Sequence, residues 1–116
     1  MKNNGKAPLN QKTREEYLAL TPGKRWNVCD NPQTTPQILD YFVNDSDPDV
    51  RIMLSRNPQT LSSTLEVLAK DPHQLVRLSV ARHQNTSMES LKDLAQDSDK
   101  EVRDRASESI QKKITQ

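Results

Sequence analysis

With 116 residues, the chain has room for one domain and a modest core. An apolar fraction of 32% and a mean hydropathy of -0.92 are low for a globule packed round a single centre. Seventeen basic and sixteen acidic residues leave no net field to draw in nucleic acid or anionic lipid, the lone cysteine excludes an internal disulfide, and no apolar run approaches membrane-spanning length.

In chain order, residues 1–12 (MKNNGKAPLNQK) carry Asn-Gly and Ala-Pro breaks without an apolar period. They read as a flexible, mildly basic arm ahead of one repeat domain over residues 13–116. Thr13-Arg14-Glu15-Glu16 is a capping-box pattern that opens a short helix to about Leu20, ended by Thr21-Pro22-Gly23. From there the letters return every 26 residues. Asn31-Pro32-Gln33-Thr34 recurs as Asn57-Pro58-Gln59-Thr60 and, loosely, as His83-Gln84-Asn85-Thr86. Leu39, Leu65 and Leu91 keep the step, as do Asp45, Asp71 and Asp97, and Arg51, Arg77 and Arg103. A fixed period of this length marks stacked units.

Each unit reads as two short helices. In the first, Thr35 is an N-cap with Pro36 at N1, and Leu39, Phe42 and Val43 share one face. Asp47-Pro48 restarts the chain, and Val50 and Leu54 form the inner stripe of the second helix. Leu65, Leu68 and Ala69, then Val76 and Val80, repeat the plan; Leu91, Leu94 and Ala95, then Val102 and Ala106, repeat it again. The N-terminal piece is a degenerate half-unit, with Thr21-Pro22 in the Asp47-Pro48 register, Lys24-Arg25 in the Val-Arg register and Trp26 in that of Ile52. Such helices are too short to stand alone, so stacking must stabilise them. Thin stacked layers, in which every helix keeps a wet side, also reconcile the low hydropathy with regularly placed Leu, Val and Ala, which argue against disorder.

The joint spacing of Asn-Pro-x-Thr, Leu-x-x-Leu-Ala, Asp and Val-Arg, fullest in residues 57–82 (NPQTLSSTLEVLAKDPHQLVRLSVAR), resembles the leucine-rich repeat variant, a bacterial α-solenoid unit; the Asp-x5-Arg part is also similar to HEAT repeats. The resemblance covers roughly residues 21–108. It implies an all-α, right-handed solenoid of about three and a half units, with α- and 3₁₀-helices alternating. Some members of that family carry a cysteine cluster for an iron–sulfur centre; with only Cys29 here, that cofactor is not carried over and none is expected. The third unit departs from the pattern at His83-Gln84, and the family prescribes no single activity.

The recurrent arginines invite a phosphate-binding reading, but each has an Asp six residues upstream, so an Asp–Arg ladder within or between units is the expectation. Position 52 lies about 200° round the helix from 50 at 3.6 residues per turn. That places Trp26, Ile52 and Leu78 off the inner stripe, as candidate interface anchors beside Arg56 and Arg82, with Asp104 ending the row. The competing reading is that neighbouring repeats or the arm cover them. Cys29 falls in a small-residue register with Ser55, Ala81 and Ser107, which suits packing, and neither His73 nor His83 has metal-ligand spacing.

The expected function is therefore a non-enzymatic, cytoplasmic protein-interaction module with a rigid helical surface, binding through Trp26, Ile52, Leu78, Arg56 and Arg82. The alternative is a nucleic-acid-binding accessory protein using second-helix arginines left over from the ladder: Arg56, Arg82 and Arg105, joined by His83, Lys24 and Arg25. Scarce aromatics for base stacking count against it. A third reading is weak self-association through end repeats. No metal, membrane or catalytic role is expected.

Overall fold

Caps and prolines divide the chain at nearly every expected corner. The computed structural model describes residues 12–116, so the expected arm lies outside the described residues except for Lys12. Eight helices and no strand are present among the described residues: α1 (Arg14–Leu18), α2 (Pro22–Asp30), α3 (Pro36–Asp40), α4 (Pro48–Arg56), α5 (Ser62–Leu68), α6 (Gln74–Arg82), α7 (Met88–Leu94) and α8 (Lys100–Thr115). None is long and apolar enough to cross a membrane.

The capping box at α1 forms in both directions: Glu16 N–H donates to Thr13 Oγ1 at 3.1 Å, and Thr13 N–H to Glu16 Oε1 at 2.8 Å. Thr21 ends one element and opens the next, accepting from Lys24 N–H with Pro22 at the first helical position. Thr35 precedes Pro36 at the start of α3 without a side-chain cap bond. Asp47 caps α4 and Asp99 caps α8. At the start of α6 the same job falls to His73, whose Nδ1 accepts from Leu75 N–H at 3.2 Å.

The first helix of each unit is a short α-helix, and no 3₁₀ helix is found among the described residues, contrary to the alternation that the family resemblance implied. The bonds explain why: α5 is bracketed by Leu65 N–H to Leu61 O and Ala69 N–H to Leu65 O, both i to i−4. The tighter i to i−3 pattern is found in the turn after α3, where Tyr41, Phe42 and Val43 donate to Ile38, Leu39 and Asp40.

Helices α2, α4, α6 and α8 touch one another in succession; α5 packs on α4 and α6, and α7 on α6 and α8. The molecule measures 48 × 30 × 17 Å, its thin dimension about that of two packed helices. Val50 and Leu54, Val76 and Val80, and Val102 and Ala106 are all buried, as are Leu39, Phe42, Leu65, Leu68, Leu91 and Leu94. One such row per helix is all that a slab two helices thick requires, which accounts for the low hydropathy. At the N-terminal end Tyr17 is buried, its ring edge-on to Phe42 at 6.3 Å and tilted against Tyr41 at 6.0 Å. At the other end α8 does not stop where α4 and α6 stop. Ser109-Ile110 stands where they have Asn57-Pro58 and His83-Gln84, so no corner interrupts the helix before Thr115.

Candidate binding surface

The recurrent arginines are structural. Arg25, Arg51 and Arg77 each lay Nε and Nη2 across the carboxylate twenty residues on: Asp45 (2.8 and 3.3 Å), Asp71 (2.7 and 3.2 Å) and Asp97 (2.9 and 3.2 Å). Nη1 meanwhile donates to a backbone carbonyl of the loop before the same helix: Leu20, Asp45 and Asp71 respectively. One guanidinium thus clamps its own loop and the aspartate of the following unit. Each Asp also accepts a backbone N–H two residues on, from Asp47, His73 or Asp99. Arg25, a candidate for the free basic stripe, belongs to this ladder instead. Burial by itself would raise the Asp97 carboxyl, but hydrogen bonds from Arg77 and the Asp99 N–H, with the charge of Arg77, outweigh it and hold Asp97 below its ordinary value. At Arg103 the ladder changes: its Nη1 donates to Asp97 O and Ser98 O, and among the described residues no carboxylate forms an ion pair with it.

A second ladder runs through the Asn-Pro-x-Thr corners. Thr34, Thr60 and Thr86 are buried and donate Oγ1–H to Val28, Leu54 and Val80 O at 2.6–2.7 Å, a second bond to carbonyls that also accept the N–H of the C-cap residue. Asn57 donates from Nδ2 to Cys29 O and Asn31 O, while its Oδ1 accepts from Gln59 N–H. His83, which breaks the Asn-Pro pattern, performs the same task. Its Nδ1 accepts from Asn85 N–H at 3.0 Å, so Nε2 must carry the proton donated to Asn57 O at 2.7 Å. Ser109 continues the series with Oγ–H to Ala81 O. Nothing in the sequence spacing announced that an imidazole would replace an amide here, although both offer one acceptor and one donor about an amide's width apart.

The apolar row is a seam between second helices and does not form a set of exposed anchors. Leu78 is only 6% exposed, and Trp26 and Ile52 are half-buried against the core. Position 52 lies off the Val50–Leu54 stripe and on a lone helix would point outward. Here the second helices touch one another in succession, and the row is partly or wholly covered against the core. Asp104, whose side chain is 62% exposed and bonded to Lys100 at 2.6 Å, ends the row because α8 has no further second helix against it among the described residues.

Arg56 and Arg82 behave differently. Both are exposed in the last turn of their helices, and among the described residues neither has an ion-pair partner. They flank shallow clefts at one edge of the second-helix layer. A cleft of about 360 Å³ between α2 and α4 is lined by Trp26, Asp30, Met53 and Arg56; one of about 240 Å³ between α4 and α6 by Ser55, Arg56, Ser79 and Arg82. A third, of about 440 Å³ between α6 and α8, is lined by Arg82, Asn85, Ser109, Lys112 and Lys113. Lys112 and Lys113 extend the basic edge only because α8 runs past the usual corner. Ser109-Ile110, in place of the Asn-Pro or His-Gln corner, is the one sequence difference at that register. Arg105 is not part of a free stripe, since it pairs with Glu108 at 3.1 Å.

Cys29 is buried, and burial, reinforced by the Asp45 charge, pushes its thiol up to about 12. It is a packing residue at physiological pH. No group of His, Cys, Asp and Glu suited to a metal ion is found among the described residues. The chain matches no family model, no curated protein and no solved structure.

Proposed function

We propose that this chain is a right-handed α-solenoid of about three and a half units, of the leucine-rich repeat variant kind, and that it acts as a non-enzymatic module docking a protein partner along the edge of its second helices. The repeated hydrogen bonds between one unit and the next support the solenoid reading. The observation that carries the docking reading is the contrast in arginine use. The recurrent Asp, Arg, Asn and Thr side chains serve the stack, whereas Arg56 and Arg82 stand exposed beside open clefts with no ion-pair partner among the described residues. Arginine is enriched at binding hot spots because its planar fork loses little freedom when it meets an acceptor. The bland role of a last-turn arginine, a favourable meeting with the helix dipole, needs no cleft and is worth only about 0.3–1 kcal/mol. The anchors are thus moved from the row Trp26, Ile52 and Leu78 to the edge.

The test is site-specific crosslinking in the native cell. A benzophenone amino acid at position 56 or 82 should give discrete protein adducts, mapped by mass spectrometry, while the same group in place of exposed Glu66 on α5 should give none. No adducts at 56 and 82, or an adduct pattern equal to that at 66, would remove the docking reading.

A further inference from the structure

The charges along the docking edge are polarised. Asp30 lines the cleft at its α2 end, while Arg56, Arg82, Lys112 and Lys113 line the clefts from α4 to α8. Glu108, the one acidic side chain in the register of Arg56 and Arg82 on α8, is engaged by Arg105. The neutral polar groups of the same clefts face inward in their bonding: Ser55 donates to Ile52 O, Ser79 to Leu75 O and Ser109 to Ala81 O. The charge of these clefts is therefore carried by cations, one set per second helix: Arg56 and Arg82 have no ion-pair partner among the described residues, and Lys113 Nζ rests on the backbone of Gln84 at 3.3 Å, an exposed bond that leaves its charge uncompensated.

Their spacing defines a ligand. Packed helix axes lie about 8–10 Å apart. An extended peptide in the polyproline II conformation advances about 3.1 Å per residue and brings every third side chain onto one face, so one helix step equals about three residues. We propose that the edge from Arg56 through Arg82 to Lys112 and Lys113 takes an extended acidic segment of a partner protein whose carboxylates recur at every third residue. The carboxylates at the first and fourth positions meet the Arg56 and Arg82 forks, and the one at the seventh meets the lysine pair. The acidic end of the edge at Asp30 sets where the segment stops. A nucleic-acid strand fits less well: its phosphates recur more closely than one per helix step, and the aromatic side chain in these clefts, Trp26, is half-buried and sits beside Asp30 instead of among the cations.

This inference rests on the docking edge, and its test separates the two. Anisotropy at low ionic strength would compare a labelled heptapeptide Glu-Ser-Ala-Glu-Ser-Ala-Glu, its isomer with the three glutamates adjacent, and an oligouridylate of about ten nucleotides. The spaced peptide should bind about fivefold or more tightly than its isomer, and Arg56→Gln with Arg82→Gln should weaken it about tenfold, as expected for loss of two exposed ion pairs. Lys92→Gln, at an exposed cation of α7 outside these clefts, should leave it unchanged. Equal affinity for the two isomers, no binding of either, or tighter binding of the oligouridylate would overturn the proposal. If protein adducts still formed at positions 56 and 82, the acidic segment alone would fall; if they too were absent, the docking edge would fall with it.

Discussion

Arg51 and Arg56 lie on one helix, five residues apart, and recur together as Arg77 and Arg82 on the next. The first of each pair is locked between its own loop and the aspartate of the following unit; the second is exposed, with no ion-pair partner among the described residues. Residue type, helix and period are the same, so none of them distinguishes scaffold from surface. What distinguishes them is whether a partner recurs at a matching offset. Asp45, Asp71 and Asp97 keep step with the clamp arginines, while the register of Arg56 and Arg82 drifts from Asp30 to Glu108.

The sharpest way to break this comparison is to remove one arginine of each kind. Arg51→Ala leaves Asp71, 8% exposed, with the His73 N–H but without its fork, and opens the loop carbonyl of Asp45. Stranding a carboxylate this deep should cost about 3–4 kcal/mol. Arg56→Ala should cost less than about 0.5 kcal/mol. Urea unfolding followed by circular dichroism measures both, and similar losses would end the distinction between clamp and surface arginines.

A second test concerns the apolar row. Leu78→Ala should destabilise by about 2–3 kcal/mol, because the side chain is enclosed at the α6 seam and its removal leaves a cavity. Asp104→Ala in the same register should be within about 0.5 kcal/mol of the parent. A Leu78→Ala protein of undiminished stability would restore that row as an exposed surface.

Much of this architecture was legible in the chain. Thr13–Glu16, Thr21-Pro22 and Asp47-Pro48 marked helix starts through local bonds that need only neighbouring residues. The Asp–Arg ladder was legible as a pairing because both partners kept the period; which unit supplied the carboxylate was not, since an offset of −6 or +20 looks the same in a 26-residue repeat. The fate of Ile52 and Leu78 was hidden for a different reason. A helical wheel sees one helix, and burial at position 78 is decided by the next. Arg56 and Arg82 were identifiable as candidates, but the continuation of their edge into Lys112 and Lys113 depended on how far α8 ran.

The corner ladder offers a subtler test of what counts as a repeat. Asn57→Ala removes two inter-unit hydrogen bonds, to Cys29 O and Asn31 O, and should cost about 1–2 kcal/mol. His83→Asn, which restores the letter of the other units, should be nearly neutral, because an amide supplies the same acceptor to Asn85 N–H and the same donor to Asn57 O. A loss at His83→Asn as large as at Asn57→Ala would mean that the imidazole contributes packing beyond its bonds.

The smallest effect expected is in acid, and it again divides the two edges. The folded-state value of Asp97 lies below its ordinary one, so as pH falls the unfolded chain takes up the proton first. The stability this contributes is complete above the ordinary carboxylate value, about 3.9, and disappears as pH drops from there through the folded-state value. Asp97→Asn should therefore make stability less steeply dependent on pH below about 4. Arg82→Gln should leave that slope as it is, because its guanidinium faces no described carboxylate. Unfolding curves taken between neutral and strongly acidic pH distinguish the outcomes: an unchanged slope in Asp97→Asn would mean that the last rung of the ladder is as free as the edge opposite it.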